Sequence, residues 1–224
     1  MTAPTLTLDD LIINHTPRVP VAICLDVSGS MAGQPIAELA QGVHTLFAEL
    51  YDNALARASA DVAVVTFGAR IDKIVDFGPV QRKPFVQMLA DGLTPMGTTV
   101  NYALDLLEAR KQDYKAAGVS YYQPWLILMT DGAPTDDITA AVRRTAAMAS
   151  AHKLLVIPVG VGQAADLGVL SRFSPQQRPL RLRGLAFTPF FRWLSASIER
   201  VSNSTVGTEF RPFDASNARA SWAL

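Results

Sequence analysis

Four apolar, β-branched runs of strand length, Val19–Asp26, Asp61–Phe67, Pro124–Thr130 and Leu154–Val161, constrain this chain more than any other feature. Each is nearly continuous rather than alternating, the pattern of a strand buried on both faces of a parallel sheet. Parallel strands need long crossovers, and the intervals between these runs carry helical periodicity. Ile36, Leu39, Ala40, Val43, Leu46, Phe47 and Leu50 recur at three and four residues, one apolar stripe. Val100–Ala117 repeats the pattern with Ala103, Leu104, Leu107 and Tyr114. A third helix is expected over Thr135–Ala151, with Thr135 as N-cap and Asp136 and Asp137 in the first turn, where the dipole favours anions. Thr188-Pro189 opens a last one carrying Phe190, Leu194, Ile198 and Val201 on one face. Ile71–Val75 follows Gly68-Ala69-Arg70 as the second half of a hairpin. The expected fold is therefore α/β: a doubly wound, mostly parallel sheet with one antiparallel edge strand and helices on both faces. In such sheets ligands bind at the carboxyl ends of strands, near the point where strand order reverses.

Composition sets the bounds. With 224 residues, 49% of them hydrophobic, the chain can bury a core and is too apolar for wholesale disorder. We expect one domain over residues 18–203, an N-terminal extension over 1–17 and a C-terminal tail over 204–224. Twenty basic against twenty acidic residues argue against nucleic-acid binding. The balance conceals an asymmetry: residues 172–224 hold eight arginines against Glu199, Glu209 and Asp214, a local +5. Arg178, Arg181 and Arg183 are spaced to line an edge strand and protect it with outward charge. No apolar run approaches the ~18 residues of a membrane span, and no signal peptide is visible. The lone Cys24 reads as a small core hydrophobe in a reducing compartment, so the expected location is the cytoplasm.

Three loops at strand or helix junctions carry the chemistry. The first strand runs into Asp26-Val27-Ser28-Gly29-Ser30-Met31, Pro95-Met96-Gly97-Thr98-Thr99 precedes a helix, and Thr130-Asp131-Gly132 ends a strand. Spacing by two lets Asp26, Ser28 and Ser30 face one way in an extended loop. Two carboxylates and three hydroxyls form an all-oxygen donor set, which selects Mg²⁺, Mn²⁺ or Ca²⁺ over Zn²⁺.

This constellation resembles the metal-ion-dependent adhesion site of the von Willebrand factor A-like family. The resemblance implies a metal held directly by Ser28, Ser30 and Thr98, with Asp26 and Asp131 acting partly through water. Thr98 is preferred to Thr99 because it lies five residues before Ala103-Leu104, the family's spacing. Within that family, Val19-Pro20-Val21, the run Leu128-Met129-Thr130-Asp131-Gly132-Ala133-Pro134 and the run Phe190-Phe191-Arg192-Trp193-Leu194-Ser195-Ala196-Ser197-Ile198 look like bacterial TerY-like proteins of tellurium-resistance and chemical-stress systems. That likeness spans about Arg18 to Ser202 and implies a protein kinase or a PP2C-type phosphatase as partners. A divalent ion held mostly by neutral hydroxyls stays under-neutralised, so the expected function is binding a partner's Glu or Asp side chain through the metal. The competing expectations are a scaffold that binds through a metal-independent surface and a metallohydrolase.

Enzyme signatures fail on their own terms. Gly92-x-x-x-x-Gly97-Thr98-Thr99 places Thr98 where a phosphate-binding loop needs lysine. Gly160-x-Gly162-x-x-Ala165 matches a dinucleotide fingerprint, but no acidic residue follows at ~20 positions. Val27-Ser28-Gly29-Ser30 lacks the G-x-S-x-G elbow. His15, His44 and His152 are isolated in sequence. Asp136 and Asp137, the only carboxylates near the site in sequence, are accounted for by a helix N-terminus. No enzymatic activity is expected.

Overall fold

The continuous apolar runs pair as parallel neighbours. In the computed structural model, which describes residues 14–84 and 87–207, six strands form one sheet. They are β1 (Val19–Asp26), β2 (Ala60–Phe67), β3 (Ile71–Val75), β4 (Trp125–Thr130), β5 (Leu155–Val161) and β6 (Leu180–Leu182), in the order β3-β2-β1-β4-β5-β6. All pairs are parallel except β2–β3. The helices are α1 (Gln34–Asp52), α2 (Ala54–Ser59), α3 (Met96–Ala116), α4 (Thr139–Ser150), α5 (Leu167–Phe173) and α6 (Phe187–Ser202).

Alternate residues of each strand feed two cores, which is why the runs are apolar without a break. Val19, Val21, Ile23 and Leu25 pack with Leu39 and Val43 of α1 and with Phe190, Phe191 and Leu194 of α6. Ala22 and Cys24 face the other way, against Val100, Leu104 and Leu107 of α3, Ala141 of α4 and Leu170 of α5. Each fully buried Leu, Ile or Phe contributes ~1.5–3 kcal/mol of transfer free energy. Cys24 is fully buried, and desolvation pushes its thiol up to about 12, as suits a core side chain. Helices α1 and α6 touch at Gly42, where a Cβ would sit 2.7 Å from Cδ2 of Phe191.

Register places the site. Asp26 pairs with Phe67 at the end of β2, and Leu25 pairs with Met129, so Asp26 and Thr130 finish β1 and β4 side by side. The chain leaves β1 for β2 on one side while β4 lies on the other, making this the point where strand order reverses. At the opposite end, Asp61 is 1% exposed and accepts hydrogen bonds from Arg110 Nε (2.7 Å), the Tyr114 hydroxyl (2.6 Å) and the Gly78 N–H (2.7 Å).

Three expectations need correction, and two short helices were not anticipated. Helix α3 starts at Met96, a turn earlier than its apolar stripe indicates, and so includes Thr98. Helix α4 starts at Thr139, not Thr135; the Thr135 hydroxyl instead accepts from the Thr94 N–H at 3.1 Å. Short α2 and α5 carry too few residues for periodicity and are held by side-chain caps, Asn53 on Ala56 N–H and Asp166 on Val169 N–H. Edge strand β6 holds Arg181, whose guanidinium donates to the carbonyls of Gly162 and Ala165 instead of standing in solvent. Residues 1–13 of the N-terminal extension and 208–224 of the tail lie outside the described residues.

Candidate metal centre

Asp26 is 1% exposed at the tip of β1. Its Oδ1 accepts the Ser28 N–H at 2.8 Å, and its Oδ2 accepts the Thr130 hydroxyl. Ser28 is extended, and the chain then tightens into a 3₁₀ turn over Gly29–Met31, anchored by buried Met31. Two contacts brace this loop from outside: Gly29 N–H donates to the Gly92 carbonyl (3.1 Å) and Asp91 N–H to the Val27 carbonyl (2.9 Å). Gly92 has φ +78°, and a Cβ there would lie 2.3 Å from Ala69 Cα, so only glycine fits.

From this loop a hydrogen-bond chain crosses to β4. The Ser28 and Ser30 hydroxyls are 3.1 Å apart, and the Ser30 hydroxyl donates to Asp131 Oδ1 at 2.8 Å. Asp26, Ser28, Ser30 and Asp131, from loops about a hundred residues apart in sequence, thus share one polar cluster.

Thr98 belongs to a second cluster. It is exposed in the first turn of α3, and both its N–H (2.7 Å) and its hydroxyl (2.8 Å) donate to Asp136 Oδ2. Asp136 Oδ1 accepts the Gly97 N–H at 2.9 Å. Thr99 is fully buried and its hydroxyl donates to the Pro95 carbonyl at 2.7 Å, so of the two threonines Thr98 is the one with an accessible oxygen. Asp136 is the site residue that sequence reasoning missed. It reads as a cap for its own helix, but it satisfies the free N–H groups of α3 instead.

The electrostatics mark Asp26 as incomplete. Burial raises its carboxyl above the usual range, hydrogen bonds from Ser28 and Thr130 pull it down, and the Asp131 charge pushes it up again; among the described residues no basic side chain contributes. A buried carboxylate without a countercharge is costly. Among the described residues no three His, Cys, Asp or Glu side chains form a metal-holding group, so any cation here depends on the hydroxyls as well. Two carboxylates with Ser28 and Ser30 oxygens suit a hard divalent ion that keeps several waters.

A strand-order reversal with two acidic residues and two serines at the tips of adjacent strands defines a Rossmann-like domain with an oxygen-lined site. The family model for the von Willebrand factor type A domain matches residues 21–183, and the chain belongs to that family. No curated protein matches the chain in sequence. Among solved structures it is similar to a von Willebrand factor type A protein from Catenulispora acidiphila, at 18% identity and TM-score 0.61, over 82% of this chain and 43% of that one. Proximal thread matrix protein 1 of the mussel byssus aligns at 18% identity and TM-score 0.57, over 83% of this chain and 49% of that one. The chain therefore spans about half the length of the mussel protein. Manganese-loaded TRAP protein of Plasmodium vivax aligns at 18% identity and TM-score 0.55, over 72% of this chain and 64% of that one. At these identities the likeness is one of fold. Among the described residues no helix is long and apolar enough to cross a membrane.

Proposed function

We propose that this chain is a metal-dependent protein-binding module that takes an acidic side chain of its partner onto a bound divalent cation. The observation that carries the reading is buried Asp26, without a cationic neighbour among the described residues and joined through Ser28 and Ser30 to Asp131. Asp26, Ser28, Ser30, Thr98 and Asp131 would hold the ion, which supplies a Lewis-acidic position for a carboxylate. Mg²⁺ is the ion we favour on donor hardness and cellular abundance; the manganese-loaded Plasmodium protein, and a mussel structure with a zinc occupied site at TM-score 0.55, support a divalent ion generally. Exposed Leu89 (74%) and Leu93 (68%), on the loop that braces Gly29, offer the partner apolar area near the carboxylate.

From the resemblance to TerY-like proteins we further propose a role in a cytoplasmic stress or tellurium-resistance system, with a kinase or PP2C-type phosphatase as the partner to test first. The reading is of a binding protein, not an enzyme: Asp136 and Asp137, the carboxylates closest in sequence to the site, have their oxygens engaged by helix N-terminal N–H groups instead of facing a reacting group. Immobilised protein should retain its partner in Mg²⁺ and release it in chelator, with Asp131→Ala matching the chelator result. Retention in chelator would contradict the metal-dependent mode.

A further inference from the structure

Asp136 stands outside the donor set described above, yet its side chain accepts three hydrogen bonds. Its carboxylate takes the Gly97 N–H, the Thr98 N–H and the Thr98 hydroxyl. A second observation is steric. A Cβ on Gly97 would lie 2.4 Å from the Asp137 carbonyl oxygen, so the segment carrying Asp136 is pressed against the first turn of α3. A third is a two-way backbone tie just upstream, in which Thr135 N–H donates to the Thr94 carbonyl (3.0 Å) and Thr94 N–H to the Thr135 hydroxyl (3.1 Å). The loop that ends in this clamp begins at Asp131.

From this geometry we infer that Asp136 is a positioning residue for the metal centre: it fixes the Thr98 hydroxyl as a ligand and locks it to the loop that carries Asp131. The chemistry follows from the direction of the hydrogen bond. A threonine oxygen has one proton and two lone pairs. With the proton committed to Asp136 Oδ2, both lone pairs are free for a cation, and the anionic acceptor makes the oxygen a stronger donor. The same carboxylate caps two of the α3 N–H groups, so the rotamer of Thr98 and the start of its helix are set by one group. Outer-shell carboxylates of this kind are worth about 10–100-fold in metal affinity. The proposal rests on the metal-binding reading, and its test separates the two.

The test is a double-mutant cycle on Mn²⁺ affinity, measured calorimetrically on the 224-residue chain, with Asp136→Ala, Thr98→Val, the double variant and Asp26→Ala as the control. Asp136→Ala should weaken Mn²⁺ binding about tenfold or more, and the loss should shrink to within about twofold in the Thr98→Val background, because the group through which Asp136 acts is then gone. A structural role alone would lower the metal-free melting temperature of both backgrounds without this coupling. Equal losses in both backgrounds, or no loss in either, would overturn the proposal while leaving the metal reading intact. Unchanged Mn²⁺ binding by Asp26→Ala would overturn that reading, and this proposal with it. Should Asp136→Ala fold poorly, Asp136→Asn serves in its place: it retains one acceptor oxygen, loses the charge, and should show a smaller, still Thr98-dependent loss.

Discussion

Asp26 carries an energetic conflict that a cation resolves. Its folded value is raised, chiefly by burial, above that of an unfolded aspartate near ~3.9. A raised folded value contributes stability that is fully present below the unfolded value and is lost as pH rises through the folded one. Without metal, the domain at neutral pH therefore holds a desolvated carboxylate at a net cost. Asp26→Asn should keep the Ser28 N–H contact through its amide oxygen and remove that cost. We expect this variant, in chelator at pH 7, to be more stable than the parent in urea unfolding. The difference should shrink as pH falls through the folded value and be gone well below the unfolded value of ~3.9, where the parent's carboxyl is protonated in both states. The same variant should bind no metal. A gain in stability accompanied by loss of binding separates a functional aspartate from a structural one.

At the scale of elements, Gly97 is where the first turn of α3 meets the segment carrying Asp136. Gly97→Ala drives a methyl into the Asp137 carbonyl, and overpacking of this kind costs about 1–3 kcal/mol. The relief available is for the α4 approach to move away from α3, which breaks the Asp136 contacts. We expect a lowered melting temperature together with a severalfold weaker Mn²⁺ affinity, both readable on one purified sample. What was legible in the sequence follows the same lines. Strands β1, β2, β4 and β5 were readable because burial on both faces writes an unbroken apolar run. Helices α1, α3 and α6 were readable because each shows one face to a sheet over several turns. Helices α2 and α5 span six and seven residues, too short for any period to emerge, and three-residue β6 was signalled only by the spacing of its arginines. Asp136 was misread because Thr135-Asp136-Asp137 has the local form of a cap, whereas its partner Thr98 lies 38 residues earlier. Asp26, Ser28, Ser30 and Asp131 were nominated by residue type and loop position, and the fold joins those four by hydrogen bonds; Thr98 it holds through Asp136.

At the scale of the molecule the two ends of the sheet do different work. Asp61 pairs with Pro20 near the start of β1 while Asp26 ends it, a separation of about 20 Å at ~3.3 Å per residue. The Asp61–Arg110–Tyr114 cluster staples β2 to α3, with Arg110 also in contact with Asp113 at 3.3 Å. Removing one partner of a buried ion pair leaves the other uncompensated, and Asp61→Ala should cost about 3–5 kcal/mol. Sites this far apart are additive, so Mn²⁺ affinity of the folded Asp61→Ala protein should stay within about twofold of the parent. The balanced net charge of the chain is uninformative about a partner, because the ion would place two positive charges at one end of the sheet.

The most direct test of this account is calorimetric titration of the purified chain with Mn²⁺, repeated for Asp26→Ala and Asp131→Ala after circular dichroism has shown both to be folded. The account predicts one saturable site in the parent, displaced by excess Mg²⁺, and none in either variant. A parent that fails to saturate, or a variant that binds as the parent does, would contradict it.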